Sequence, residues 1–122
     1  MARWICVLFV LGLAAQQPPP VTQEPPEEDV TLTETKEYTF NPLQAEKEVR
    51  TGNFYAKKGN QKAASVRFRE ATKWNPGFAE AWLRLGESLE KRKDGKGAKE
   101  AYAKYLELAP DAKNAALIKK KL

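Results

Sequence analysis

The chain has 122 residues, 42% hydrophobic and 30% charged, with three Trp, five Phe, four Tyr, no His and one Cys. That length suits at most one modest domain. Without His, and with Cys6 the only thiol, the sequence cannot assemble a His/Cys zinc site, a Ser-His or Cys-His nucleophile pair, or an intrachain disulfide. The acids lie in a linker or on helix patterns better explained by solvation, so the chain reads as non-catalytic, with no cofactor and no metal.

Residues 1–15 read as a secretory signal peptide. Met1 to Arg3 supply a positive start, Trp4 to Leu13 an uninterrupted apolar run, and Ala14 and Ala15 the small residues a signal peptidase requires. As a membrane span the run is short: twelve residues from Trp4 to Ala15 make ~18 Å of helix against about 30 Å of hydrocarbon. Cys6 sits near the start of the run, where it serves as a small hydrophobe and not as the lipidated first residue of a mature chain. The expectation is export, with cleavage after Ala14 or Ala15.

Residues 16–41 read as a disordered, acidic, Pro/Glu-rich linker. Pro18, Pro19, Pro20, Pro25 and Pro26 stand among Glu24, Glu27, Glu28, Asp29, Glu34 and Glu37, with too few apolar residues to offset the entropy of ordering. Prolines bias such a segment toward polyproline II and its carboxylates repel, giving a semi-stiff spacer or a docking peptide.

From residue 42 the pattern turns helical, and helices are predicted near 42–58, 61–74, 77–92, 96–108 and 111–121. Asn41-Pro42 and Asn75-Pro76 each place a capping side chain before a proline suited to the first helical position. Gly59-Asn60 and Asp94-Gly95 mark the reversals between paired helices. Trp82, Leu85 and Leu89 form an apolar stripe at helical spacing, and Ala64, Phe68 and Ala71, like Ala98, Tyr102 and Leu106, alternate small with large on the partner helices. In the last segment Ala115, Leu117 and Ile118 are expected inward and Lys119 to Lys121 outward, as a cap on the open end of the stack.

A shift of 34 residues aligns Pro42 with Pro76 and Pro110, Gly52 with Gly86, Ala64 with Ala98, and Phe68 with Tyr102. A constant period of this size marks stacked supersecondary units that cannot cover their own apolar faces. The recurring Gly52 and Gly86 cost ~1 kcal/mol each inside a helix relative to Ala, which predicts close approach of a neighbouring helix.

The stretch Trp82-Leu-Arg-Leu85-Gly86-Glu-Ser-Leu89, followed by Ala98, Tyr102 and Pro110, resembles a tetratricopeptide repeat. Glu48-x-x-Thr51-Gly52-x-x-Tyr55, Gly59, Ala64, Phe68, Ala71 and Pro76 make a second copy. It departs at Glu48 and Thr51, where the family has Trp and Leu, as expected of an end repeat whose first helix faces solvent. In the other copy Tyr105 replaces an Ala, and Lys93 stands where a turn Gly is common. The resemblance implies an all-α solenoid of antiparallel helix-turn-helix units: a first repeat at 42–75, a second at 76–109 and a capping helix at 110–122, about five helices in all.

The resemblance also implies recognition of a protein or peptide in the groove formed by the first helices of successive repeats. Carried over by register, the groove positions are Val49, Asn53, Ala56 and Lys57 in the first unit, and Leu83, Arg84, Glu87, Glu90 and Lys91 in the second. The subclass that clamps a C-terminal carboxylate uses Lys and Asn on the first helix. Val49 stands at that Lys position and Arg84 where the next repeat offers Asn, so that specificity is not implied. The layout is similar to that of exported adaptors of bacterial cell-envelope assembly, although the lipidated Cys of the outer-membrane lipoproteins among them is missing.

A second partner class follows from charge. Residues 38–122 carry 19 Lys and Arg against 10 Asp and Glu, or +9, whereas residues 16–37 carry one Lys against six acids, or −5. A basic module of this kind could meet an anionic membrane surface or an acidic wall polymer. Export argues against nucleic acid.

Overall fold

The computed structural model describes residues 36–122. The signal-peptide reading at 1–15 and the linker as far as residue 35 lie outside the described residues. Five helices follow in order: α1 Pro42–Lys57, α2 Gln61–Trp74, α3 Ala79–Lys91, α4 Gly95–Leu108 and α5 Ala115–Lys119, with no strand among the described residues. α1 pairs with α2 and α3 with α4 through tight turns, α2 packs on α3, and α5 packs on α4. The all-α repeat architecture expected from the sequence is the one observed.

Three of the helix starts are closed by side chains. Asn41 Oδ1 accepts from the Gln44 N–H at 3.0 Å, Asn60 Oδ1 from Ala63 at 3.1 Å, and Asp94 Oδ1 from Gly97 at 3.0 Å. Each satisfies one of the N–H groups that lack an intrahelical partner. α3 differs from expectation. It begins at Ala79 after Phe78, without a side-chain cap, because Asn75 is already used to end α2. The Asn75 N–H donates to Ala71 O, and its Oδ1 accepts from Gly77 N–H at 3.2 Å. Gly77 stands where the first repeat has Leu43, and Pro76-Gly77 forms a turn instead of a first helical turn.

The core is one cluster running through both repeats. Phe68 from α2 and Tyr102 from α4, each almost fully buried, lie against Gly52 of α1 and Gly86 of α3. A β-carbon built on Gly52 would lie 2.5 Å from Phe68 Cε1, and one on Gly86 2.5 Å from Tyr102 Cε1. Close helix approach therefore explains both glycines. Leu85 and Leu89 complete the stripe in α3. Trp82, expected with them, is only half-buried at the edge of the core, and its indole N–H donates to Pro76 O at 2.8 Å, so it pins the turn.

The first repeat is not an open end. Glu48, in register with Trp82, is 5% exposed, not solvent-facing as expected. One carboxylate oxygen accepts from Gln44 Nε2 at 2.9 Å and the other from Arg67 Nη1 at 3.1 Å. Beside it Tyr38, assigned to the linker by composition, packs edge-on against Trp74 with ring centroids 4.9 Å apart. The Tyr38 hydroxyl donates to the nearly buried Glu70 carboxylate at 2.7 Å, and Lys36 Nζ lies 3.7 Å from the same group. Burial and the Glu70 carboxylate push the Tyr38 hydroxyl up to about 12.

At the other end α5 is five residues long, shorter than the predicted 111–121. Tight turns from Ala112 N to Ala109 O and from Ala115 N to Ala112 O precede it, and the Tyr105 hydroxyl donates to Asn114 Oδ1 at 2.6 Å, holding that turn. Ala115 and Ile118 face inward as expected, but Leu117 is 63% exposed.

Candidate functional site

α1 and α3 sit one repeat apart, so positions separated by 34 residues recur on neighbouring helices. Arg50, Asn53 and Lys57 on α1 match Arg84, Glu87 and Lys91 on α3. Between these helices and the start of α2 opens a groove of about 480 Å³.

Of the sequence-predicted groove residues, Asn53, Ala56 and Lys57 line it from α1, and Arg84, Glu87 and Lys91 from α3. Val49 does not. It is 4% exposed and belongs to the core cluster. Leu83 is half-buried and likewise packs against the core. Glu90 lines a second cleft of about 510 Å³ with Tyr102, Ile118 and Lys121, and Glu87 and Lys91 border both clefts.

Arg84 Nη1 donates to Glu87 Oε2 at 3.2 Å, and its Nε lies 3.7 Å from Glu80, so the arginine is neutralised by its own helix. Lys57 and Lys91 make no ion pair among the described residues. In the second cleft Glu90 accepts from Lys121 Nζ at 2.7 Å and from the Tyr102 hydroxyl at 2.5 Å, which clasps the C-terminal residues onto α3. Those donors hold the Glu90 carboxyl below its ordinary 4.5, while burial and Glu90 push the Tyr102 hydroxyl well above the usual phenol range.

Gln61 also lines the groove and was not anticipated from the sequence, whereas Phe68 and Ser88 border it only from the buried core beneath. Gln61 is the residue immediately after the first turn, which places it beside the C-terminal end of α1, and turn placement alone could have found it. Ser88 aligns with Phe54 and carries no repeat signal. No group of three or more His, Cys, Asp or Glu that could hold a metal occurs among the described residues, and no helix there is long and apolar enough to cross a membrane.

The sequence profile of the tetratricopeptide repeat matches residues 55–122, more than half of the chain. A search of curated proteins finds no match. Such repeats mediate protein–protein interaction, and the paired helices, the 34-residue register and the glycine–aromatic contacts agree with that match. The chain belongs to the tetratricopeptide repeat family.

Proposed function

We propose that the chain is a non-catalytic interaction scaffold or adaptor that takes a protein or peptide segment in the groove between α1 and α3, and that it works after export, in cell-envelope assembly. The observation that carries this reading is the convergence of Asn53, Lys57 and Lys91, polar groups not engaged with one another, on one open groove beside the half-buried Ala56. Concave sites with a few oriented polar groups on a packed scaffold suit segment recognition. Export is supported by the basic start, apolar run and small residues of 1–15.

Photocrosslinking groups placed at Asn53 or Glu87, and at Glu100 as an exposed control, test the groove in the native host. Protein adducts from the first two positions and none from Glu100 are expected; equal yields from all three would refute the assignment. Sequencing the N-terminus of the same sample tests export: a start at Ala15 or Gln16 supports cleavage, and a start at Met1 overturns it.

The charge of +9 over residues 38–122 favours a second reading, a basic module on an anionic surface or polymer. It predicts capture that disappears as salt rises, because exposed charges are screened within about 8 Å at physiological ionic strength. Salt-resistant capture of one protein favours the scaffold.

A further inference from the structure

We propose that the groove is occupied in the resting protein by the chain's own acidic stretch Glu24-Pro25-Pro26-Glu27-Glu28, an intramolecular mask that a partner must displace. This rests on the groove being the peptide-binding surface, and it names the occupant when no partner is present.

Charge points the same way on both sides. Lys57 and Lys91 line the groove with no ion pair among the described residues, whereas Glu87 is already neutralised by Arg84. The groove therefore presents two cations that no carboxylate of the described residues neutralises. Residues 16–37 carry −5 and the helical part +9.

Spacing adds a second constraint. Lys57 and Lys91 are one repeat apart on neighbouring helices, and packed helix axes lie roughly 8–10 Å from one another. A polyproline II chain advances ~3.1 Å per residue with three residues per turn, so carboxylates at i and i+3 project from one side about 9 Å apart. Glu24 and Glu27 have that separation, and the two residues between them, Pro25 and Pro26, favour that conformation before docking.

Reach is sufficient. The described part of the chain begins at Lys36, tied to α2 by the contacts of Lys36 and Tyr38 with Glu70. The nine residues back to Glu27 span ~28 Å in polyproline II. The sixteen residues from Asn41 to Lys57 rise ~24 Å along α1.

Zero-length carbodiimide crosslinking of the full chain, read by mass spectrometry on a mixture of light and heavy-isotope-labelled protein, tests the contact. Products joining Glu24, Glu27 or Glu28 to Lys57 or Lys91 within one copy are expected. Absence of these products, equal yields at Lys99 and Lys104 of α4, or light–heavy products would overturn the mask. A fluorescent peptide copying Val21 to Asp29 is then titrated into the full chain and into its E24Q/E27Q/E28Q variant. A segment of Kd ~0.1 mM, tethered at an effective concentration on the order of 1 mM, occupies its site about ten to one, so the variant should bind the peptide about tenfold more tightly. Equal binding by both proteins overturns the mask while leaving the groove as a peptide site. Binding by neither overturns both.

Discussion

The ring of Tyr102 lies so close to α3 that a β-carbon on Gly86 would stand 2.5 Å from Cε1 and 2.6 Å from Cδ1. Phe68 stands in the same relation to Gly52 one repeat earlier, at 2.5 and 2.7 Å. Both rings are fixed in the core and cannot yield as the end of a flexible chain would. Gly86→Ala gains ~1 kcal/mol of helix propensity but overpacks at a cost of ~1–3 kcal/mol, so net destabilisation of about 1 kcal/mol is expected. Urea melts check it, and adding Tyr102→Leu should recover part of the loss.

Lys93 ends α3 with φ 66°, a left-handed conformation, at the position where the first repeat has Gly59 with φ 80°. The left-handed region costs a residue bearing a β-carbon ~1–2 kcal/mol, and glycine returns part of that through its freer unfolded chain. Lys93→Gly should stabilise the protein by about 0.5–1 kcal/mol in the same melts. Gly59→Ala should act in the opposite direction.

Glu48 and Arg67 form an ion pair with both side chains largely withdrawn from water. Removing one partner leaves a buried charge uncompensated, and Arg67→Ala should cost about 3–5 kcal/mol. Replacing both with apolar residues, as Glu48→Leu with Arg67→Met, should cost much less. A double-mutant cycle that finds the two losses additive would contradict the pairing.

The contact of Tyr38 with Glu70 has a pH signature. Tyr38 is raised from 10.0 to about 12 in the folded chain. Its proton is thus held more tightly folded than unfolded, and the associated stability is fully present below the unfolded value and lost as pH rises through about 12. Ultraviolet titration should show two tyrosinates appearing later than an ordinary phenol, those of Tyr38 and Tyr102, and Tyr38→Phe should remove the earlier of the two.

At acid pH the C-terminal clasp responds in the opposite sense. The lowered Glu90 carboxyl contributes stability above its ordinary 4.5, which is lost as pH falls through its folded value. Protection of residues 115–122 against hydrogen exchange, taken relative to the intrinsic exchange rate at each pH, should fall on acidification. Lys121→Ala should show the lower protection already at neutral pH.

Much of the architecture was legible because it rests on local chemistry repeated at a constant interval. Gly52 and Gly86 foretold close packing, and Asn41, Asn60 and Asp94 stand where capping oxygens are needed. Asn75 shows the limit of such reading: an identical Asn-Pro pair became the end of α2, because the following Gly77 favoured a turn. Asn53, Lys57, Arg84, Glu87 and Lys91, named from the repeat register, come together along one groove. Glu90 pairs with Lys121, a residue 31 positions away, a contact that no local pattern announces.

By itself, the amino-acid sequence determined the period, the helix pairs and the separation of acidic from basic charge, since these depend on residue type and spacing along one chain. Burial of equivalent positions was decided only in three dimensions. Val49, Leu83 and Leu117 share one register, yet the first is buried, the second half-buried and the third exposed. α1 is covered mainly by α2 and touched by α3, whereas the five-residue α5 packs on α4 alone. Apolar surface leaves water only where a neighbour arrives to cover it, and neighbours are a property of the assembled stack.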